Sequence, residues 1–227
     1  MKKKTVLFAA LLWAAAVPPG SAAGTPAAPA ADPQAERLSE RARQDRTIVY
    51  FLQEPASHSF FLFHDYTESR EGERQYVNVV RKGSASSNPS ARIVDTGETL
   101  KVETLRGEAI TKEGIDIGEP VRPDSEIVLV RYPPVKKGES VRLRISETYT
   151  DPVSYRQDGD ELVFDRSLGR PRNAVVLPAG WFLVASSVPA TISETDDGRI
   201  RLDFVNPRTD EIAVLIRAAR RQPSGTR

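Results

Sequence analysis

Apolar and polar residues alternate along much of the chain between residues 47 and 221. Leu143 and Ile145 alternate with arginines, and Leu202 and Phe204 alternate with charged residues. A period of two indicates β-strands with one buried and one solvent-exposed face, which is typical of antiparallel sheets. We therefore expect these four side chains in the core. Comparable runs predict strands at Thr47–Leu52, Ser57–Tyr66, Gln75–Val80, Glu98–Leu105, Glu126–Tyr132, Ser140–Thr150, Glu161–Asp165, Ala174–Leu177, Trp181–Ser186, Arg199–Asn206 and Glu211–Arg217.

The turn residues between these runs support an all-β fold. Asp158–Gly159 and Asp197–Gly198 are dipeptides that favour tight hairpins, and no long segment has helical periodicity. We predict an antiparallel β-sandwich over residues 47–221, either one extended sandwich or two small lobes joined near Gly118–Pro123. The irregular spacing of the runs favours one domain. The serine-rich stretch Gly83–Pro89 has the composition of turns and predicts a mobile loop.

The first 23 residues have the three parts of a secretory signal. Lys2–Lys4 are positive, Val6–Val17 is apolar, and Ser21–Ala23 supplies the small residues that precede cleavage. A membrane-spanning helix needs about 20 apolar residues, which favours a cleaved signal over an anchor. We predict cleavage after Ala23, a periplasmic or secreted location, and no transmembrane span in the mature chain.

The segments flanking the sandwich have little to bury. Residues 24–31 contain only Ala, Pro, Gly and Thr and predict a flexible tether. Asp32–Pro33 can start a helix, but the residues up to 46 are mostly polar, so that residues 24–46 are interpreted as tether and polar helix. The tail 222–227 is predicted to be disordered.

Composition and charge exclude several classes of protein. The absence of cysteine excludes disulfides, thiolate metal sites and the lipid anchor of a bacterial lipoprotein. Export would remove three lysines from the 32 Lys and Arg residues, which leaves the 31 acidic residues in slight excess. A near-neutral surface of mixed sign argues against nucleic acid as a partner. We expect the partner to be a protein or another component of the bacterial envelope.

The sequence offers little catalytic chemistry. The only histidines, His58 and His64, would lie about 20 Å apart on a regular strand, which is too far to share a metal. Nucleophile-elbow, Walker and dinucleotide motifs are missing from the sequence. We therefore predict no metal, no cofactor and no catalytic residues, and a non-enzymatic binding or accessory domain. The alternative is a hydrolase that uses His64 with a carboxylate, which requires His64 in a concave pocket beside Asp or Glu.

One arginine-rich segment is a candidate binding site. Arg166, Arg170 and Arg172 fall within a short stretch that also contains glycine and proline, and Trp181 follows. The planar guanidinium group suits carboxylate or phosphate. We predict an anion-binding loop over 166–172, with Trp181 as an aromatic anchor. Pairing of the arginines with carboxylates, and a core position for Trp181, are the open alternative.

Residues 126–206 also carry a likeness to a known family. A turn with Lys-Lys-Gly-Glu, Pro133–Glu139, precedes the strand Val141–Ile145, and Leu177-Pro178-Ala179-Gly180-Trp181 precedes another run. In the order of these segments and the types of residue in them, the stretch resembles the later part of the N-terminal β domain of gluzincin-clan zinc aminopeptidases. The resemblance implies a shared β architecture and a stand-alone accessory domain. Since the chain contains no H-E-x-x-H motif, no catalytic residue is carried over.

Overall fold

The computed structural model describes residues 44–220, and these fold into strands, one short α-helix and a 3-10 turn at Pro55–Ser57. The predicted signal, most of the tether and the tail lie outside the described residues. The helix α1 spans Glu108–Lys112. The strands are β1 (Arg46–Leu52), β2 (Ser59–Glu68), β3 (Gln75–Val79), β4 (Ala85–Ile93), β5 (Thr99–Arg106), β6 (Glu126–Arg131), β7 (Val141–Thr150), β8 (Tyr155–Asp158), β9 (Glu161–Leu168), β10 (Arg172–Val176), β11 (Trp181–Ser186), β12 (Thr191–Glu194), β13 (Ile200–Val205) and β14 (Ile212–Arg220).

These strands form two sheets. The large sheet has ten strands in the order β12-β13-β10-β1-β2-β7-β4-β5-β6-β3, and the small sheet has four in the order β11-β14-β9-β8. Among the described strands, β1 and β10 pair in parallel, and the other pairs are antiparallel. The all-β prediction is confirmed. Across residues 44–220 no helix is long and apolar enough to cross a membrane.

The largest hydrophobic cluster lies where the small sheet packs on the large one. Phe164 of β9 contacts Tyr50 of β1 and Phe60 of β2, with ring centroids 5.9 Å apart in each pair. Phe204, 1% exposed, and the fully buried Leu202 belong to this cluster, and Leu143 and Ile145 are fully buried in a second cluster within the large sheet, as their alternation predicts. Rings of this size each bury a large apolar area, so this contact helps to hold the two sheets together.

The prediction of a loop at Gly83–Pro89 is wrong, because Ala85 already belongs to β4. β4 pairs with β7, and the register shifts between Ser87 and Ser90, where Asn88 has a φ of 51°. This bulge accommodates the turn-forming residues inside a strand, so local composition gave the wrong answer. The short strands β8 and β12 were also not predicted from the pattern.

The large sheet curls back on itself. Although β3 is its last strand, Tyr76 and Asn78 of β3 contact His64 of β2 and Glu147 of β7. Strong twist and curling allow the end of a long sheet to cover its own middle. The edge strand β3 therefore lies over β2 and β7, next to the candidate site.

Candidate functional site

A groove of about 520 Å³ runs beside β3, and we call it the arginine groove. One wall is the stretch Val77–Val80, and the other is formed by the end of β9 and the connection to β10. Ile48, Tyr50 and Leu62 of β1 and β2 give the groove an apolar floor, and His64 lies beside them. The lining residues are Ile48, Tyr50, Leu62, His64, Val77–Val80, Arg81, Lys82, Glu119, Arg122, Tyr149, Arg166, Ser167, Gly169, Arg170 and Glu211.

Arg166 is the most deeply buried cation of the groove. It lies on β9, is 8% exposed, and donates from Nη1 to Asp151 Oδ2 at 2.6 Å. Its guanidinium carbon lies 5.3 Å from the ring centre of Phe60 and 5.6 Å from that of Tyr149. Its Nε has no hydrogen-bond partner among the described residues, although a buried donor of this kind is costly to leave unpaired.

The ion pair with Asp151 is a structural one. Burial opposes ionisation of this carboxyl, but hydrogen bonds from Ser154 and the charge of Arg166 outweigh it, so the pKa of Asp151 lies below its usual value. Removing the guanidinium would leave a buried carboxylate without its cation. Arg166 therefore anchors the fold as well as lining the groove.

Arg81 follows Val80, the last residue that bonds to β6, and its side chain reaches across the groove. It donates from Nη2 to the carbonyl of Ser167 at 3.1 Å. Although much of Arg81 is exposed, desolvation of its guanidinium, and next the charge of Arg166, lower its pKa, while Glu211 opposes the shift. Two cations held in one partly dehydrated space attract an anion more strongly than exposed ones do.

The charge of the lining is positive. Five of the lining side chains are cationic, Arg81, Lys82, Arg122, Arg166 and Arg170, whereas Glu119 and Glu211 are acidic. Part of this charge is already balanced, since Arg166 pairs with Asp151 and Arg122 lies 3.6 Å from Glu119. The lining thus has more cationic than acidic side chains, and the excess positive charge lies on the walls on either side of the apolar floor.

A polar cluster adjoins the floor. Glu147 is fully buried, and its two oxygens accept hydrogen bonds of 2.6 Å from Asn78 and from Ser86. His64 Nε2 lies 3.8 Å from Glu147 Oε1, and its Nδ1 lies 3.3 Å from the hydroxyl of Tyr76. These contacts tie β3 to β2 and β7 and fix the wall of the groove.

Both titratable groups of this cluster have perturbed pKa values. Burial raises the pKa of Glu147 to about 7, against the hydrogen bonds from Ser86 and Asn78. Burial, followed by the charges of Arg46, Arg170 and Arg166, lowers the pKa of His64 well below its usual value. His64 is therefore neutral at physiological pH. Such opposed shifts are found at functional sites as well as in structural networks.

The predicted anion-binding segment is divided by the structure. Arg166 lies in β9 and Arg172 in β10. The predicted bounds of the loop, 166–172, are therefore wrong, and the loop comprises only residues 169–171. The ladder with β14 extends β9 as far as Leu168, which the local glycine and proline did not indicate. Arg166 and Arg170 line the groove.

Arg172 and Trp181 lie elsewhere. Arg172 pairs with Asp45 and donates to Thr47 Oγ1 at 3.0 Å. Trp181 is 3% exposed, in the core, with the guanidinium of Arg220 5.0 Å from its ring. An exposed aromatic anchor at this position is therefore wrong, and for Trp181 the alternative of a core residue holds.

Metal chemistry has no visible support in the described part of the chain. Within residues 44–220 no group of three or more His, Asp or Glu side chains is placed to hold a metal ion. His58 lies apart from the groove, at the turn before β2, with Nδ1 3.0 Å from the carbonyl of Tyr155.

Arg81 and Glu147 were missed by the sequence analysis. Arg81 meets Ser167 across 86 positions of the chain, and Glu147 meets Asn78 across 69. Only the curl of the large sheet brings them together. For Glu147 there is one local indication. It has the same parity as Leu143 and Ile145 in an alternating strand, so its side chain is expected on the buried face.

Structural comparison finds proteins of the class that the sequence resembles. An aminopeptidase N family protein from Idiomarina loihiensis matches 76% of this chain and 29% of its own, with 10% identity and a TM-score of 0.43. An M1 zinc metallopeptidase from Deinococcus radiodurans matches 77% of this chain and 41% of its own, with 14% identity and a TM-score of 0.43.

A third match is a Legionella pneumophila protein proposed to bind a nutrient, over 77% of this chain and 65% of its own, with 9% identity and a TM-score of 0.41. The chain thus spans less than two thirds of each of these proteins. No family model and no curated protein sequence matches the chain. The similarity concerns the β architecture, without the catalytic part of the peptidases.

Proposed function

We propose that the chain is an exported, non-enzymatic binding or accessory domain of the bacterial envelope, and that its arginine groove holds an anionic group of the partner. The observation that carries the proposal is the placement of Arg81 and Arg170 beside the buried Arg166 around one apolar-floored groove. The export signal and the predicted tether support the location. A mixed and nearly neutral surface elsewhere makes this local positive charge selective.

The geometry suits carboxylate or phosphate. Arginine presents several N–H donors in a plane and binds such oxygens in pairs. The groove's volume lies in the range of small-ligand pockets, and part of its lining is apolar. Attraction in such a site should weaken as salt is added, because the cations remain partly open to solvent.

The test is a titration of the mature protein with inorganic phosphate and with glutarate, followed by the NMR shifts of backbone amides. We expect shifts confined to residues 77–82 and 166–170 that diminish at high salt. Arg81→Ala should weaken binding about tenfold, the loss of one charged hydrogen bond.

Arg156→Ala is the matched control, because Arg156 also donates to a backbone carbonyl, that of Val153 at 3.0 Å, but lies outside the groove. Binding by this variant should equal that of the wild type. Shifts scattered over the surface, or equal losses in the two variants, would refute the proposal.

One observation favours the second candidate, a hydrolase: His64 lines the groove and lies 3.8 Å from Glu147. The pKa of His64, lowered by burial and neighbouring arginines, makes it a weak base, and both oxygens of Glu147 already accept hydrogen bonds. Binding is therefore the better supported function. A panel of chromogenic ester and peptide substrates decides between them: hydrolysis that His64→Gln abolishes would favour the enzyme.

A further inference from the structure

The free edge of β3 defines what kind of partner the groove accepts. β3 pairs with β6 and, within the described residues, with no other strand. Val80 N–H donates to the Glu126 carbonyl, and Tyr132 N–H donates to the Arg74 carbonyl. In an antiparallel pair the bonded positions alternate, so the amide and carbonyl groups of Val77 and Val79 point away from β6.

This edge faces the arginine groove. Four consecutive residues, Val77–Val80, line it. Successive side chains of a strand point to opposite faces, so a wall made of consecutive residues is the backbone edge of the strand. The outward groups of Val77 and Val79 thus border the groove, and among the described residues no hydrogen bond reaches them.

The edge also lacks the protection that edge strands usually carry. Natural proteins blunt such edges with charges, proline or bulges. The strand Gln75–Val79 contains neither a charge nor a proline, and its register with β6 is continuous. By contrast, β12 at the other end of the sheet ends in the charged residue Glu194. An open edge beside cationic side chains fits an extended chain better than a compact ion.

We infer that the partner segment held by the arginine groove is an extended acidic peptide that adds as a strand to the free edge of β3. The inference rests on the proposed function, because the arginines select the acidic side chains. Main-chain hydrogen bonds to Val77 and Val79 supply affinity, and Arg81 and Arg170 on the walls supply selectivity.

A proline at position 79 tests the edge directly. Val79→Pro removes an outward N–H without removing a bond to β6, and proline is tolerated at such positions of edge strands. Ile192→Pro is the matched control: Thr195 N–H donates to the Arg199 carbonyl, so the backbone groups of Ile192 point away from β13. The probe is the peptide acetyl-Val-Glu-Val-Glu-Val-amide, with phosphate titrated in parallel.

We expect Val79→Pro to weaken binding of the peptide about tenfold or more, a larger factor than for phosphate, and Ile192→Pro to change neither. Peptide binding that Val79→Pro leaves intact would overturn strand addition and leave the proposed function standing. If neither phosphate nor peptide binds the wild-type protein, both proposals fall. A peptide with Gln in place of Glu that binds equally well would overturn the acidic selectivity.

N-methylated peptides provide a second test on the wild-type protein, in case Val79→Pro does not fold. Methylation of alternate amides gives two isomers, and a strand added to β3 uses only one alternate set of its amides. At least one isomer should lose binding about tenfold. Two isomers that bind as well as the parent peptide would overturn the inference.

Discussion

Replacing Glu147 with glutamine should change how the stability of the protein depends on pH. The carboxyl is fully buried and accepts hydrogen bonds from Asn78 and Ser86. Glutamine has the same shape, and its amide can accept from Asn78 and donate to Ser86, so it imitates the protonated acid. The substitution therefore removes an ionisation without opening a cavity.

The magnitude follows from the pKa of Glu147, which burial raises from 4.5 to about 7. The folded state keeps its proton to higher pH than the unfolded state, so the free energy of unfolding falls as pH rises between these two values. The full difference corresponds to about 3 kcal/mol. Relative to wild type, Glu147→Gln should be about 3 kcal/mol more stable at pH 8 and nearly equal at pH 4.

His64 acts in the opposite direction. Its pKa is well below 6.5 in the folded protein, so the unfolded state binds the extra proton first, and stability is lost as pH falls below about 6.5. In the wild-type protein the two effects oppose each other between about pH 4.5 and 6.5. Glu147→Gln should reveal the histidine effect, and stability should then fall on acidification.

Urea unfolding from pH 4 to pH 9 measures both effects, and Trp181 is a buried reporter of fluorescence. Glu139→Gln serves as the control, because Glu139 is exposed and lies 3.9 Å from Lys136 in a loose surface pair. Loss of one negative charge is then common to both variants. A stability difference between Glu147→Gln and wild type that stays constant with pH would refute the reasoning.

Three further outcomes are expected. Phe204→Ala should cost about 3–5 kcal/mol of unfolding free energy by urea titration, as for a buried aromatic, and a change within about 0.5 kcal/mol would contradict the packing. Arg166→Met should cost about 3–5 kcal/mol of unfolding free energy at pH 7, because Asp151 would be left buried without its cation. The loss should be smaller at pH values that protonate Asp151, and an undiminished loss in acid would contradict this cause. Mass spectrometry of the exported protein should find a chain that begins at Gly24, and a chain that retains Ala23 would count against the predicted cleavage.

The fold could be predicted from alternation because burial on one face of a strand imposes it. Leu143 and Phe204 show this, since parity alone placed both in the core. The pattern failed where a strand buries little. β4 is mostly polar, its contacts with β7 are made largely by the backbone, and its serines looked like loop residues.

The groove was predicted only in part, since its residues come together through the curl of the large sheet. Local arginine density indicates Arg166 and Arg170, and both line the groove. Arg172 is as near in sequence, but it stands at the start of β10 and pairs with Asp45. The local sequence does not indicate Arg81, because its nearness to Arg166 depends on contacts between residues that are far apart in the chain.

The cost of the groove to stability is itself an argument for function. Outside the groove, Arg144 holds both oxygens of Asp65 at 2.7 and 2.6 Å, whereas the buried Nε of Arg46 has no hydrogen-bond partner among the described residues. In the groove two such features occur together: Arg166 has an unpartnered buried Nε, and desolvation together with the charge of Arg166 lowers the pKa of Arg81. Unfavourable electrostatics gathered in one cleft are typical of binding sites. An anion that relieves them stabilises the folded state in proportion to its occupancy, so the partner should raise the unfolding temperature of the wild type more than that of Arg81→Ala.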